Sequence, residues 1–286
     1  MSRLPDAVAE YVRAQGWGHV ATTTPVGGGC INDGARLTTT DGPALFLKRN
    51  SSAPPDMFQR EAEGLEALAS AEGGPRVPRP LLVGEGFILL EYLFPAVHSA
   101  SYWETLGVQL ARLHSVTNSR FGFARDNYIG STPQSNRWEA DGYKFFAEQR
   151  LLFQGELTRE RGLLSPSSLQ RLDHLAARLH DLVPEQPASL LHGDLWGGNV
   201  IPGPDGHAYL IDPAAHYGWA EAELAMTTLF GQFPPAFYAA YESARPLAPG
   251  YRSRFDIYNL YHLLNHLNLF GRSYLGVVEA TLARYA

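Results

Sequence analysis

The segment Leu190–Val200, which reads LLHGDLWGGNV, restricts the fold of this chain more than any other stretch of the sequence. Its three glycines oppose a helix and permit backbone turns that residues with a Cβ resist. The segment therefore predicts a loop that directs the side chains of Asp194 and Asn199 to one point. The chain must fold so that an acid and an amide meet on irregular backbone.

A second acid follows this loop, at the end of a short apolar run. The sequence AYLIDP predicts a buried strand over Ala208–Ile211, with Asp212 directly after it. Asp194, Asn199 and Asp212 together offer the hard oxygen donors that Mg²⁺ prefers, and one of the acids remains to accept a proton from a hydroxyl. By themselves these residues indicate a magnesium–phosphate type of site. The alternative is that they only cap turns within the loop.

Upstream, a lysine lies inside an apolar strand. The run ALFLKRN places Lys48 there, and lysine is rarely buried without a partner. The helix that follows offers Glu61 or Glu63. Just before the first strand of this hairpin come three glycines, Gly27–Gly29, whose backbone N–H groups are suited to cover a phosphate chain. A structural ion pair and a simple turn are the respective alternatives.

The N-terminal part of the chain predicts a small lobe of strands with few helices. Helical spacing predicts a helix from Leu4 to Val12 and another over 57–71. Extended runs over Cys30–Thr39 and Ala44–Lys48 flank a turn signal and predict an antiparallel hairpin. Two further short strands are expected around 84–86. We place this lobe at residues 1–92.

Beyond residue 92 the pattern becomes mostly helical, and we treat 93–286 as a second lobe. A helix is marked by apolar residues between Trp103 and Leu113, and Ser165 with the proline after it predicts the start of another. The remaining helices are expected over 138–153, 166–182, 219–231, 234–244, 251–271 and 273–285.

Composition limits the partners. The chain has 23 basic and 29 acidic residues, a formal net charge of −6. Without basic clusters, this argues against nucleic acid or an anionic membrane. No signal peptide or bilayer-spanning run is evident, so we expect a cytoplasmic protein. The single cysteine, Cys30, excludes an internal disulfide. It is either a small buried residue or a redox-sensitive thiol, which leaves a monomer or a dimer linked through Cys30.

In their order along the chain, these features resemble the protein-kinase-like fold. Its signature combines a strand lysine, a helix glutamate, an H-R-D-x-x-x-x-N loop and a later aspartate. Here the loop reads His192-Gly193-Asp194, with four residues before Asn199. Glycine in place of arginine is similar to the small-molecule branch, the aminoglycoside and choline kinase relatives. The resemblance implies an α+β, bilobal fold with a small antiparallel-sheet N-lobe and a large, mostly helical C-lobe.

Several segments narrow the resemblance to the fructosamine kinase, or ketosamine kinase, family. They read HGDLWGGNV, GGGCI, MFQREAEGLEAL, IDPAAHYGWAEAELA, FGQFPPAFYAAY and NHLNLFGRSY. The resemblance covers the chain from about residue 5 to its C-terminus. It implies ATP-dependent phosphorylation of the sugar part of small-molecule or protein-bound ketosamines, with Mg²⁺ as the cofactor.

The family resemblance also implies roles for single residues. Asp194 is expected to be the base that accepts the proton of the attacking sugar hydroxyl. Asn199 and Asp212 are expected to bind Mg²⁺. Lys48 is expected to contact the α- and β-phosphates of ATP and to pair with Glu61, which matches the family's helix glutamate.

Two further groups of residues complete the expected site. The backbone of Glu91, Tyr92 and Leu93 resembles the hinge that binds adenine. Aromatic side chains suit the apolar C–H face of a sugar ring, and four candidates are expected near the substrate: Trp196, His216, Tyr217 and Trp219. For Trp196 the alternative is packing in the core.

Other functions remain open at this stage. A kinase for an aminoglycoside, an amino alcohol or a simple sugar has the same signature, although a polycation needs an acidic cleft. The candidate acids near the site are few, Glu221 and Glu223 among them, and both are also placed to start a helix. A nucleotide-binding pseudokinase is less favoured, because every signature position is intact. His262 and His266 have a spacing that can bind zinc, but an apolar helix favours core histidines.

Overall fold

The computed structural model of the protein describes residues 4–27 and 32–285. Within these residues an antiparallel sheet comes first and most of the helices follow. The N-terminal elements are α1 (Asp6–Ala14), β1 (Val20–Val26), β2 (Asp33–Thr39), β3 (Leu45–Arg49), α2 (Met57–Ala69), β4 (Pro80–Gly84) and β5 (Phe87–Glu91). The five strands have the order β1-β2-β3-β5-β4, and all neighbours are antiparallel.

The alternation of side chains along β3 decides which helix covers which face of this sheet. Leu45 and Leu47 are buried in a cluster with Val8 and Val12 of α1. Phe46 points the other way, against the cluster that contains Phe58 of α2. Because side chains alternate with a period of two residues, Lys48 falls on the α2 face.

The rest of the chain is mainly helical. Its helices are α3 (Tyr102–Leu113), α4 (Gly142–Phe146), α5 (Phe153–Glu160), α6 (Pro166–Ala177), α7 (Leu179–Leu182), α8 (Ala220–Met226), α9 (Pro235–Ala244), α10 (Phe255–Phe270) and α11 (Leu275–Tyr285). A π-helical turn joins α4 to α5. Helix α10 is buried along most of its length and forms the centre of the largest apolar cluster.

Short strands lie between these helices and carry the loops of the site. They are β6 (Thr117–Asn118), β7 (Asn127–Ile129), β8 (Thr132–Gln134), β9 (Ala188–Leu191), β10 (Val200–Pro202), β11 (Ala208–Leu210) and β12 (His216–Gly218). Strand β9 pairs with β12 and β6, and two hairpins are formed by β7–β8 and β10–β11. The loop after β9 therefore lies next to the segment that joins β11 to β12.

Most of the predicted elements are present, with differences at their ends. The predicted hairpin and the N-cap at Ser165 are confirmed. The helix expected over 138–153 begins instead at Gly142, where Asp141 caps it, and the helical backbone continues to Glu160. Strand β1 was not predicted, because its sequence VATTTPV has no apolar alternation and contains a proline.

No helix in the described ranges combines the length and the apolar character that a membrane crossing requires.

A close helix–helix contact gives a test of this packing. A Cβ added at Gly107 of α3 would collide with the carbonyl oxygen of Phe237 in α9. We expect Gly107→Ala to lower the free energy of unfolding by about 1–3 kcal/mol, since backbone must shift. Gly276 of α11 is exposed and serves as the control, because nothing lies within 4 Å of a Cβ added there. Gly276→Ala is expected to raise the free energy of unfolding by about 0.5–1 kcal/mol. Equal effects in chemical denaturation would contradict the packing.

Candidate active site

Lys48 contacts two carboxylates from different parts of the chain. Its Nζ lies 2.8 Å from Oε2 and 3.0 Å from Oε1 of Glu61, and 2.8 Å from Oδ1 of Asp212. The predicted pairing with Glu61 is confirmed, and Glu63 instead bonds Arg60. This three-way contact joins β3, α2 and the segment after β11.

The lysine is charged despite its burial. Lys48 and Glu61 are only 7% and 8% exposed. Burial alone would lower the pKa of Lys48, but the carboxylates of Glu61 and Asp212 outweigh this and raise the pKa above its usual value. A fixed positive charge therefore lies beside Asp212.

Asp212 adopts backbone dihedrals that few residues tolerate. Its φ is 57°, the only positive φ of a non-glycine residue in the described part of the chain. Aspartate is among the residues that accept this left-handed region most readily. This turn changes the direction of the chain after β11 and places the Asp212 carboxylate beside Lys48. The Asp212 side chain is still 44% exposed.

Asp194 and Asn199 meet as predicted. The Nδ2 of Asn199 donates to the backbone oxygen of Asp194 at 2.8 Å and to its Oδ2 at 3.2 Å. Burial raises the pKa of Asp194 to about 7, and the hydrogen bond from Asn199 only partly opposes this. Asp194 is therefore an acid whose pKa lies close to neutral pH, as a general base requires.

His192 ties this loop to the strand that precedes Asp212. Its Nε2 lies 2.9 Å from the carbonyl oxygen of Ile211, and its Nδ1 lies 3.3 Å from the backbone nitrogen of Asp194. Since a carbonyl only accepts and an N–H only donates, the ring carries its proton on Nε2. Burial lowers the pKa of His192, which keeps this neutral form. One side chain thereby sets the spacing between the two acidic segments.

Glu223 supports the same loop from the protein interior. Its Oε2 accepts the backbone N–H of His192 at 3.0 Å, and its Oε1 accepts that of Gly193 at 2.6 Å. His114 lies 3.0 Å from Oε2 through its Nε2. Burial by itself would raise the pKa of Glu223, but the hydrogen bond and charge of His114 and the loop contacts lower it. An ionised carboxylate thus binds the two peptide groups that precede Asp194.

The tight turn at Gly193 has no room for a side chain. Its φ is +86°, and a Cβ there would collide with the carbonyl oxygen of Ala214. The backbone nitrogen of Ala214 in turn donates to His192 at 2.9 Å. The loop that carries Asp194 and the segment after Asp212 therefore lie back to back, which explains the glycine in this motif.

Aromatic rings extend outward from the loop. The ring of Trp196 contacts Phe230 at 6.0 Å between centroids, and Phe230 contacts His266 at 4.5 Å. His266 then lies 5.3 Å from Phe270 and 5.1 Å from Tyr274. Trp196 is half-buried and Phe270 is 50% exposed. We call these five residues the aromatic surface. It begins two residues after Asp194.

The other aromatic candidates are placed differently. Trp219 is 3% exposed and packs in the core against Phe146 and Tyr258. His216 is 6% exposed, and its Nδ1 lies 3.0 Å from the carbonyl oxygen of Ala214. Tyr217 is half-buried and packs with other aromatic rings. The structure therefore gives Trp219 and His216 a packing role, and only Trp196 joins the aromatic surface.

The expected hinge follows β5. The N–H groups of Glu91 and Tyr92 donate to carbonyl oxygens of Arg79 and Ala44 at 3.1 and 3.4 Å. Among the backbone hydrogen bonds found in the described residues, none is donated by Leu93.

Gly27, the first residue of the glycine run, comes close to the level of Lys48. Gly27 directly follows Val26, which pairs with Gly34, and Gly34 pairs with Lys48. Gly28, Gly29 and Cys30 lie outside the described residues.

The donor set fits Mg²⁺ bound together with phosphates. In the described ranges, no group of three or more histidine, cysteine or acidic side chains could hold a metal by itself. Mg²⁺ commonly takes one or two carboxylates and completes its shell with waters and substrate phosphates. Asp212 offers an exposed carboxylate. Because the nitrogen of the Asn199 amide is directed to Asp194, its Oδ1 is the atom available to a cation.

Sequence reasoning missed several residues that build the site. Glu223 was recognised as a nearby acid, but it is 30 positions from Gly193 in the sequence, and no local pattern predicts their contact. Phe230 and His266 lie within segments that carry the family resemblance, but nothing in their spacing places them beside Trp196. His262 is buried, as expected for a core histidine.

A model of the fructosamine kinase family matches residues 6–286 of the chain. A probable ketoamine kinase from Synechocystis is 44% identical over 255 residues, 87% of this chain and 85% of the relative. A chloroplastic protein-ribulosamine 3-kinase from Oryza sativa subsp. indica is 39% identical over 281 residues, 94% of this chain and 80% of the relative.

The fold is similar to that of a solved relative. A crystal structure from Thermobifida fusca, assigned as a fructosamine-3-kinase, has a TM-score of 0.89. It is 32% identical, and the match covers 98% of each chain.

The role of Glu223 can be tested without an activity assay. In Glu223→Gln one carboxylate oxygen becomes an amide nitrogen, which cannot accept a backbone N–H. We expect the free energy of unfolding to fall by about 1–3 kcal/mol, the cost of an unsatisfied buried donor. The amides of His192 and Gly193 should exchange hydrogen faster.

Glu221→Gln is the matched control. Glu221 is also buried on α8, but it bonds Arg254 and Tyr258 instead of the loop. Hydrogen exchange at 192–193 should be unchanged in this variant. The same increase in both variants would show that Glu223 has no specific effect on the loop.

Proposed function

This chain belongs to the fructosamine kinase family, and we propose that it transfers the γ-phosphoryl group of ATP to a sugar hydroxyl of a ketosamine. The substrate is a fructosamine or ribulosamine adduct, either of a small amine or of a protein. The observation that carries the proposal is the assembly of one site from distant parts of the chain. Lys48, Glu61 and Asp212 are in contact, and His192 links their segment to Asp194.

In the proposed reaction Asp194 is the catalytic base. Its carboxylate orients the attacking sugar hydroxyl and accepts its proton as the oxygen bonds to the γ-phosphorus. The bond between that phosphorus and the bridging oxygen of ADP breaks. Little covalent chemistry is required of the protein in such a transfer, so positioning and electrostatics supply most of the rate. A pKa of about 7 suits a base at neutral pH.

The nucleotide is proposed to lie between two lobes, residues 1–92 and 93–286. Lys48 would contact the α- and β-phosphates, with Glu61 holding its ammonium group. The backbone from Glu91 to Leu93 would bind adenine, with Leu93 as donor because the N–H groups before it are used within the sheet. The run Gly27–Gly29 would cover the phosphates.

Asn199 and Asp212 are the proposed Mg²⁺ ligands. When bound, the ion held by these residues would neutralise charge on the phosphates. The protein's own part is to hold both ligands on one side of Asp194. The hydrogen bond from Asn199 to Asp194 does this for the amide, and the left-handed turn does it for Asp212.

The aromatic surface is the proposed site for the ketosamine. Trp196 lies two positions from the base, and its ring is suited to the apolar face of a sugar. Phe230 and His266 continue the surface away from Asp194. An extended acceptor, such as an amine or a protein side chain, fits a surface that ends at a half-exposed ring, Phe270.

The alternatives find less support. An aminoglycoside carries several positive charges and needs free carboxylates around its site. Glu221 and Glu223 are 2% and 3% exposed and are bonded to Arg254 and to the loop. A pseudokinase would lack one of the reacting groups, whereas Lys48, Asp194, Asn199 and Asp212 are all present.

A redox-linked dimer through Cys30 stays a prediction of the sequence.

The base is tested first with Asp194→Asn. Release of ADP would be followed with Mg·ATP and a panel of fructoselysine, ribuloselysine, free sugars, choline and an aminoglycoside. We expect turnover with a ketosamine, and a loss of about 10²–10⁴-fold in the variant, as for other acid–base residues. Nucleotide affinity should change little. If Asp194→Asn turns over at a rate close to that of the unmodified protein, the proposed role of Asp194 is wrong. If the unmodified protein releases ADP equally fast without a ketosamine, the proposed substrate is wrong.

The metal role of Asp212 is tested by nucleotide binding. In the unmodified protein, Mg²⁺ should strengthen ATP binding relative to binding in EDTA. In Asp212→Ala this strengthening should disappear, because a carboxylate ligand is lost. The exposed Asp173 of α6 provides the control variant Asp173→Ala. Calorimetry that finds the same Mg²⁺ effect in both variants would count against Asp212 as a ligand.

A further inference from the structure

The hairpin β7–β8 reaches both halves of the proposed site. At its base, Nδ2 of Asn127 donates to the carbonyl oxygen of Ala215 at 2.8 Å, and Nε2 of Gln134 donates to that of Ala214 at 3.0 Å. These carbonyls come two and three residues after Asp212. The hairpin therefore holds the backbone that directly follows a proposed metal ligand.

The base of the hairpin is fixed by buried polar groups. Gln134 donates to Oδ1 of Asn127 at 2.8 Å, and Asn136 donates to the same oxygen at 2.9 Å. Tyr261 of α10 donates to Gln134 at 2.6 Å, and Arg150 donates to Asn136 at 2.8 Å. All five side chains are 5% exposed or less. The amide and hydroxyl groups of this buried network are all hydrogen-bonded, which favours a rigid base.

The middle of strand β7 contacts α2, the helix that carries Glu61. The hydroxyl of Tyr128 donates to Oδ1 of Asp56 at 2.6 Å, and Asp56 also bonds Arg60 at 3.1 Å. Burial and the neighbouring Asp56 carboxylate raise the pKa of Tyr128 to about 12. The hydrogen bond from Tyr128 lowers the pKa of Asp56. The proton therefore stays on the tyrosine, which donates to an ionised carboxylate.

The side chain of Asp56 does not cap its own helix. Asp56 occupies the N-cap position of α2, yet its side chain makes no cap hydrogen bond. Aspartate at an N-cap normally accepts a backbone N–H of the first turn, worth about 1 kcal/mol. Its two oxygens are instead directed to Tyr128 and to Arg60 of the same helix.

We propose that Tyr128 is a positioning residue that fixes α2, and with it Glu61 and Lys48, relative to Asp212. The hairpin connects the two directly. Its base holds the backbone after Asp212, and Tyr128 holds the start of α2. Charge-assisted hydrogen bonds are about twice as strong as neutral ones, so one contact is enough to bias the helix. This inference rests on the proposed function, because the groups it positions are those that bind Mg·ATP.

The test is Tyr128→Phe, which removes only the hydroxyl. We expect the KM and the Kd for Mg·ATP to rise about fivefold, which is a part of the full contribution of a hydrogen bond to a charged group. The KM for the ketosamine should stay within about twofold, because Tyr128 contacts neither Asp194 nor the aromatic surface. Tyr143→Phe is the matched control, since its hydroxyl donates to the carbonyl oxygen of Val183 at 3.1 Å, in the helical part of the chain.

A double-mutant cycle with Asp56→Ala separates this role from general stability. That variant loses no cap hydrogen bond, but it also loses the ion pair with Arg60, so we expect a rise in Kd for Mg·ATP at least as large. The double variant should be no weaker than Asp56→Ala, because the contact with Tyr128 is already lost there. If Tyr128→Phe does not fold, Asp56→Ala alone must show the rise. Additive effects, or a Kd equal to that of Tyr143→Phe, would overturn the proposal.

Calorimetric Kd values need no acceptor sugar, so the two proposals fail separately. If Mg·ATP binds but no ketosamine is phosphorylated, the substrate assignment fails and Tyr128 is still judged by its Kd. If the unmodified protein turns over a ketosamine and Tyr128→Phe binds nucleotide equally well, only the positioning role fails. If Mg·ATP does not bind at all, both are overturned.

Discussion

The contact of Lys48 with Glu61 and Asp212 is the interaction on which the rest of the site depends. A buried ammonium group without carboxylates would lose its hydration and gain nothing in return. The lysine is therefore stable only where α2 and the segment after β11 come together. Removing either acid would leave an incompletely compensated charge in the interior. Because the cost of burying the charges offsets much of their attraction, the contact is weak evidence for overall stability, but it fixes an arrangement in which Asp212 lies near Asp194.

The irregular backbone around this contact needs partners of its own. Buried N–H and C=O groups must be paired, and neither the loop at Asp194 nor the segment after Asp212 forms a regular ladder. Glu223 accepts two peptide N–H groups of the loop, His192 donates to Ile211, and Asn127 and Gln134 donate to the carbonyls that follow Asp212. Side chains thus supply the hydrogen-bond partners for these loops that a neighbouring strand supplies in a sheet.

Sequence predicted what is local, and it missed what is not. The alternation along β3 and helical spacing in α2 are local patterns that offered Glu61 or Glu63 as the partner of Lys48, and the family resemblance favoured Glu61. Strand β1 has no such pattern, because most of its residues are exposed. The three-residue strands form only through tertiary pairing. The contacts of Glu223 and Tyr128 span 30 and 72 positions and leave no periodic trace. The fold class and the proposed reacting groups were therefore accessible from the sequence, whereas the side chains that support them were not.

The side chains that hold the backbone around Asp194 and Asp212 are mostly uncharged, and this affects the pKa of Asp194, the proposed base. Neutral amides and a neutral histidine hold the backbone without placing a cation beside Asp194. Burial is then the main influence on its pKa, and the nearby negative charges of Asp212 and Glu223 act in the same direction. A cationic side chain in place of these supporting residues would lower the pKa of Asp194, the proposed base. A carboxyl group with a pKa of about 7 can both accept a proton and release it to water between turnovers. The uncharged character of these contacts thus supports the proposed role of Asp194.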